Sequence, residues 1–346
     1  MTVLITGAAG FIGFHLARRL LAEGVPVIGI DDHNPYYDPA LKAAREARLI
    51  ADPHYLPLRG GIETPGLLAG IMAAHRPRVV VHLAAQAGVR HSIDAPGAYA
   101  SANLAGTFQL LEAARACPPE HLVMASSSSV YGGGRMPHRE TDRTDQPLSF
   151  YAATKKATEA MAHSYAALYG LPVTMLRFFT VYGPWGRPDM APFLFTSALF
   201  GNRPIPLFNH GRMRRDFTYV DDLVGAIRAL MDVVPRHPAI PVAGDSLSPV
   251  APWRVVNIGN GEPVALTDFI AALEAAAGRR ARLRMLPMQP GDVEATWADT
   301  GLLRRLIGPR PRTPLAIGLQ RHVDWFRGYY PVSAPLPEKA RVLLPH

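Results

Sequence analysis

The chain has 346 residues, 48% hydrophobic and 18% charged, with one cysteine (Cys117) and a formal net charge of +8. That length suits one large or two modest domains, and the apolar share excludes a disordered chain. One cysteine excludes an internal disulfide framework and fits a reducing compartment. With no basic leader and no apolar run of about 18 residues, a cytoplasmic protein with no membrane partner is expected. The arginines are scattered rather than gathered into a stripe, which argues against nucleic acid and for small anionic ligands.

The first half alternates short apolar strands with amphipathic helices. Strands are predicted over Val3–Thr6, Val27–Asp31, 79–84, 122–126 and Val173–Phe178. The first helix, 11–23, repeats Ile12, Leu16 and Leu20 every four residues. Strand–helix alternation with all-apolar strands predicts an α/β fold, a Rossmann-like doubly wound parallel sheet covered on both faces. Beyond residue 180 proline and glycine become frequent and the periodic signals shorten. We therefore expect an NAD-binding part over 1–178 and a smaller mixed α/β substrate-binding part over 179–346. A helix over 220–233 and a strand over 255–258 bracket a proline-rich loop at 235–252. Segments near 216–234 and 255–259 are expected to return to the first part, leaving the second discontinuous and capping the carboxyl ends of the strands.

Thr6-Gly7-Ala8-Ala9-Gly10-Phe11-Ile12-Gly13 joins the first strand to the first helix. Its glycines suit a tight turn, close approach of a pyrophosphate and close helix–strand packing. The helix N-terminus then offers free N–H groups and a positive dipole end. Asp31, closing the second strand, is placed to bond the adenosine ribose hydroxyls, and its charge favours NAD over NADP. Asp31 and Asp32 capping a turn is the plainer alternative.

Tyr151 and Lys155 lie one turn apart on one face of a predicted helix, 151–169. A lysine ammonium and a positive nicotinamide would each favour the phenolate, lowering a phenol that ordinarily titrates near pH 10. Tyr151 is then a candidate general base towards a sugar hydroxyl. Ser126, Ser127, Ser128 and Ser129 end a strand at the ligand edge of the sheet, where hydroxyls can donate to an oxyanion or a carboxylate. No metal is expected.

These motifs, with HLAAQAGVRHS (82–92), RFFTVYGPWGRPDMA (177–191), MRRDFTYVDD (213–222), VVNIGNGEPV (255–264) and MQPGDV (288–293), run in an order that resembles the extended short-chain dehydrogenases acting on nucleotide sugars, the NAD-dependent epimerase/dehydratase family. The stretch Asp31-Asp32-His33-Asn34-Pro35-Tyr36-Tyr37-Asp38, with GRPDMA and MQPGD, is most similar to its UDP-glucuronate 4-epimerase branch. The resemblance implies transient oxidation at C4 by bound NAD⁺, with Tyr151, Lys155 and Ser127 catalytic. It implies cofactor contacts from Gly7, Gly10, Phe11, Ile12, Gly13, Asp31, Ile62, Leu83, Ala84, Ala85, Asn103, Tyr151, Lys155 and Phe178. For the UDP-sugar (UDP-glucuronate/UDP-galacturonate) it implies Ser127, Ser128, Ser129, Thr180, Arg187, Phe208, Arg215 and Asp292. Phe208 reads equally as a core residue. A homodimer joined through helices near 103–116 and 151–169 is also implied.

One departure concerns Gly61. The family usually carries Asp there, bonding the adenine amino group, so NAD is expected to be held less tightly. Ala87 and Gln289 stand where the galactose-type epimerases carry lysine and arginine, which points to the uronate branch. Ser128 and Ser129 fill positions that are acidic in 4,6-dehydratases, and UDP-glucuronate decarboxylases typically have Glu at the place of Ser129. Epimerisation is the fate that remains. Another UDP-sugar 4-epimerase is the runner-up, and an NAD-binding regulatory protein is the non-enzymatic alternative.

Overall fold

The computed structural model describes residues 2–238, 242–289 and 291–330; part of the predicted loop (239–241), Pro290 of MQPGDV and the chain beyond 330 lie outside it. The first half runs Val3–Thr6 (β1), Phe11–Ala22 (α1), Val27–Asp31 (β2), Pro39–Ile50 (α2), Tyr55–Arg59 (β3), Leu67–His75 (α3) and Val79–His82 (β4). Short helices His91–Asp94 (α4) and Pro96–Tyr99 (α5) lead through a π-helical turn, Ala100–Ala105, into Gly106–Ala116 (α6). His121–Ser127 (β5), Phe150–Tyr169 (α7) and Val173–Phe178 (β6) follow. The remainder comprises Thr180–Tyr182 (β7), Ala191–Phe200 (α8), Pro204–Leu207 (β8), Arg214–Tyr219 (β9), Val220–Leu230 (α9), Trp253–Ile258 (β10), Pro263–Ala265 (β11), Leu266–Ala277 (α10), Arg282–Met285 (β12), Ala295–Thr296 (β13), Gly301–Ile307 (α11) and Leu315–Tyr329 (α12).

Seven strands in the order β10-β6-β5-β4-β1-β2-β3 form one parallel sheet. Alternation along β1 explains the two layers of core. Val3 and Ile5 join α1, where Phe14, Leu16 and Leu20 are fully buried. Leu4 faces the other way, with Val80, Met124, Leu110, Leu111 and Ala162 beneath α6 and α7. Each such leucine contributes about 2–3 kcal/mol by leaving water.

β3 escaped the sequence reading because Pro57 interrupts it. Proline cannot donate to a ladder, and β3 sits at the sheet's outer edge, where one face of its hydrogen bonding is unused. The predicted helix over 220–233 stops at Leu230, and the predicted strand over 79–84 stops at His82, freeing the next residues to line a cleft. β10 pairs with β6 along Trp253–Ile258, so it lies in the main sheet, and α9 packs on α1.

Outside the main sheet β9 is the spine, pairing with β7, β11 and β13. The buried Asp216 on β9 accepts from Asn260 N (2.6 Å), Gly261 N (2.9 Å), Ala298 N (3.1 Å) and Thr218 Oγ1 (3.2 Å). Those bonds tie the exits of β10 and β13 to one side chain. In the described part of 235–252 Asp245 clamps Arg254 of β10 with two bonds of 2.9 Å.

α7 is fastened from below by a buried ion pair. Glu159 meets Arg177 of β6 at 2.8 and 2.7 Å and accepts from Ser126 Oγ at 2.7 Å. Removing one partner of such a pair strands the other charge in a low-dielectric interior. Glu159→Ala should therefore lose about 3–5 kcal/mol of unfolding free energy in urea titration. A loss below about 1 kcal/mol, the range of an exposed pair, would contradict that role.

Candidate active site

The order of the sheet reverses between β1 and β4, and ligands of open α/β sheets bind outside the strand ends at such a point. A cavity of about 370 Å³ opens there, lined by the glycine turn, the tips of β2 to β6 and the start of α7. Gly7 has φ +73°, and a Cβ on it would lie 2.7 Å from Ala84 N. A Cβ on Gly13 would lie 2.1 Å from Gly7 O, so neither position admits a side chain. α1 opens at Gly10 with no side-chain cap, leaving its first N–H groups for a ligand. A pyrophosphate fits this cradle by charge and by clearance.

Asp31, Ile62, Leu83, Ala84, Ala85 and Phe178 line the same cavity, as do Gly7, Gly10, Phe11, Ile12 and Gly13. Asp31 also holds the turn in shape, accepting from Ala9 N (3.1 Å) and His33 N (2.9 Å). The Lys42 ammonium lies 3.5 Å from Asp31 and 3.8 Å from Asp32, offsetting part of the negative charge there.

Asn103, expected to touch the cofactor, does not line the cavity. Its amide is spent on the wall: it accepts from Gln86 N (2.8 Å) and donates to Gln86 O and Thr154 Oγ1 (both 3.0 Å). The π-helical turn that carries Asn103 thus pins the β4 loop to α7. Beneath that loop His82 bridges Thr6 (2.8 Å) and Thr107 (3.4 Å). Burial pushes its imidazole down to about 3, with the Lys155 charge acting the same way, so it stays neutral.

At the other end Tyr151 and Lys155 project from α7 into the cavity beside Ser127, Ser128 and Ser129. Ser149 caps α7 by accepting from Ala152 N at 3.1 Å, which fixes where the helix starts and which face Tyr151 takes. Lys155 donates to Ala125 O at 2.9 Å. Burial pulls its ammonium down to about 8, opposed by Glu159. Burial also raises the Tyr151 phenol, and the Ser127 hydroxyl bonded to it and the Arg187 charge only partly offset this. The expectation that Lys155 draws the phenol towards neutrality is corrected: the ammonium is engaged with a carbonyl, and burial dominates among the protein groups.

Thr180 and Arg187 line the cavity as well. Arg187 is locked in a bidentate pair with Asp189 (3.0 and 2.5 Å), whose Oδ2 also accepts from Tyr36 at 3.2 Å. Phe208, Arg215 and Asp292 lie outside the cavity lining and form a neighbouring group. Arg215 gives three of its five N–H donors to the carbonyls of Arg214, Val293 and Glu294, which holds its side chain beside the entry to β13. Arg90 lies over the Phe208 ring at 4.5 Å and pairs with Asp292 at 3.1 Å.

Sequence reasoning missed Lys42, Arg45, Glu63, Arg90, Tyr99 and Asp189. Arg45, wholly buried, reaches Ala9 O (3.0 Å), Tyr37 (2.8 Å) and Trp185 O (2.6 Å), joining the glycine turn to the chain after β7. Tyr99 donates to Gly88 O at 2.6 Å and stacks edge-on near Tyr151. Arg90 and Asp189 lay inside stretches already singled out, but nothing local marks which residue of a stretch turns inward. No group of His, Cys, Asp or Glu among the described residues could hold a metal ion, and no helix among them is long and apolar enough to cross a membrane.

The NAD dependent epimerase/dehydratase family model matches residues 3–242. A probable UDP-glucuronate 4-epimerase of Rhizobium meliloti (strain 1021) is 49% identical over 334 residues, covering 95% of this chain and 98% of that protein. UDP-glucuronate 4-epimerase 4 of Arabidopsis thaliana is 44% identical, over 95% of this chain and 76% of its own. Among solved structures, the UDP-glucuronic acid 4-epimerase of Bacillus cereus in complex with UDP-glucuronic acid and NAD superposes with a TM-score of 0.86 at 32% identity, over 95% and 100% of the two chains.

The buried lysine carries a pH signature. Its folded value of about 8 lies below the ordinary 10.5, so the unfolded chain holds the proton longer. Stability should rise as pH climbs through that interval, by up to about 1.4 kcal/mol per pH unit. Unfolding titrations of the parent and of Lys155→Met should diverge in slope between pH 8 and 10, with the variant flatter. Parallel slopes would show that Lys155 titrates as if exposed.

Proposed function

Because the chain belongs to the NAD dependent epimerase/dehydratase family, we propose that it is a UDP-glucuronate 4-epimerase interconverting UDP-glucuronate and UDP-galacturonate. The observation that carries this reading is the segregation of acids in the cleft. Its lining carboxylates, Asp31, Asp32 and Glu63, belong to the β2 and β3 tips, while the lining near Tyr151 offers the hydroxyls of Ser126, Ser127, Ser128, Ser129 and Thr180 with Arg187, whose partner Asp189 does not line the cleft. Loss of water from a 4-keto sugar needs a proton shuttle that this end lacks. Re-reduction needs none beyond Tyr151.

The glycine turn, Asp31 and Lys155 would hold NAD, which would supply a reversible acceptor for the C4 hydride. Tyr151 takes the proton of the C4 hydroxyl and returns it, and Ser127, bonded to the phenol, steadies the C4 oxygen. Lys155, one turn below, anchors the helix face that carries Tyr151 by its bond to Ala125 O. Ser128, Ser129 and Thr180 hold the C5 carboxylate, and Arg187, immobilised by Asp189, adds a fixed cation. That grip also protects the oxidised intermediate. A 4-keto-uronate is a β-keto acid, which loses CO₂ when its carboxylate stands perpendicular to the ketone plane. Phe208, Arg215 and Asp292 receive the nucleotide, with Arg90 added to that group by its stacking on Phe208.

We also assign a homodimer and a cytoplasmic location. Support for the dimer comes from Phe108 (46% exposed), Leu168 (69%) and Tyr169 (43%) on α6 and α7, which Tyr165 joins through Glu112 at 2.6 Å. We divide the chain into an NAD-binding part, 1–178 with 216–234 and 255–259, and a substrate-binding part made of the rest.

NMR of the product from UDP-glucuronate should reveal UDP-galacturonate, and UDP-glucose should not turn over comparably. A UDP-pentose as the main product, or none, would sink the assignment. Tyr151→Phe should lower kcat by about 10²–10⁴-fold while NAD stays bound. Ser129→Ala and Thr180→Ala should each release detectable UDP-pentose; clean epimerisation by both would remove the protective role. Light scattering should give twice the chain mass for the parent and less for Leu168→Glu.

A further inference from the structure

The cradle at Gly7, Gly10 and Gly13 fixes the pyrophosphate, and Tyr151 with Lys155 fixes the reacting end. The adenosine half must therefore extend towards the tips of β2 and β3. At that end Gly61 carries no side chain, yet the space above it is filled. A Cβ built on Gly61 would lie 2.6 Å from Glu63 Oε1 and 2.9 Å from Oε2. The Glu63 carboxylate thus occupies the volume into which a residue 61 side chain would project.

The local backbone accounts for this. Gly60 N is held by Asp31 O at 3.2 Å, and Thr64 N donates to Gly61 O at 3.0 Å, closing a tight turn with Ile62 and Glu63 at its crest. Ile62 is pressed against Gly106, where an added Cβ would meet its side chain at 2.6 Å, so the crest cannot rotate freely. Glu63 folds back over the turn and, like Ile62, lines the cavity. Its carboxylate forms no hydrogen bond or ion pair with the described residues. An ionised carboxylate only accepts hydrogen bonds.

From this placement we infer that Glu63 reads the base of the dinucleotide, accepting a hydrogen bond from the 6-amino group of adenine in place of a side chain at position 61. The inference rests on the NAD site assigned above. It also revises the expectation that the glycine at 61 leaves the cofactor one contact short: the acceptor is supplied from two residues further along. A base with a 6-oxo group presents an acceptor to an acceptor at the same point and is disfavoured.

The test is competitive equilibrium binding of NAD and nicotinamide hypoxanthine dinucleotide to the full chain. Hydrogen bonds to charged groups correspond to about ten- to a hundredfold in affinity. The parent should prefer NAD by about that factor. Glu63→Ala should weaken NAD at least about tenfold and leave the hypoxanthine analogue no weaker than in the parent. Gly61→Asp added to Glu63→Ala should restore the preference, since the space it needs has been vacated. Equal weakening of both dinucleotides, or no change in either, overturns the role of Glu63. Failure of the parent to bind NAD at all overturns the cofactor site itself, a distinct result.

Discussion

The bond from the Lys155 ammonium to Ala125 O holds the site together. It sets the helix that bears Tyr151 against the end of the central strand that bears Ser127, so phenol and hydroxyl meet without either lying on a loop. The cation it buries has no carboxylate of its own, because Glu159 one turn on is committed to Arg177 and Ser126. One acid among Lys155, Lys156 and Arg177 leaves a net positive charge under the reacting end of the cleft. Burial works against ionisation of the phenol and prevails among the protein groups, and what offsets it in part, the Ser127 hydroxyl and the Arg187 charge, comes from outside the helix.

Much of this was legible in the chain itself. The glycine turn, Tyr151 with Lys155, and the serine run are chemical patterns at short spacing, and short spacing is converted into geometry by one strand end or one helical turn. The central strands could be read because buried parallel strands are continuous apolar runs. β3 could not, since its proline hides it, and its membership of the sheet depends on being at an edge. The reading of a helix over 220–233 runs too long because Met231 and Val233 continue the apolar signal after the backbone has turned.

What stayed hidden was long-range. Arg45 is one arginine on an ordinary amphipathic helix, and only the fold brings Ala9 and Trp185 to it. Asn103 was assigned to the cofactor, yet its amide is exhausted by Gln86 and Thr154, because a side chain can serve a site by stiffening its wall. Arg215 keeps two of its five N–H donors after three carbonyls have oriented its guanidinium, an arrangement that its motif alone does not reveal. Identity of a residue within a motif is local information; the direction it faces is not.

The last strand of the main sheet is encoded about three quarters of the way along the chain, after β7, β8, β9 and their helices. During synthesis β6 therefore remains an unpaired edge until Trp253–Ile258 leaves the ribosome. Exposed apolar edges are templates for intermolecular pairing. The intervening segment consequently has to fold as an insertion beside an unfinished sheet, and the clamp between Asp245 and Arg254 closes only when that sheet is completed. A nascent chain halted before residue 253 would carry nearly all the machinery of its nucleotide cradle on a scaffold still open along one side.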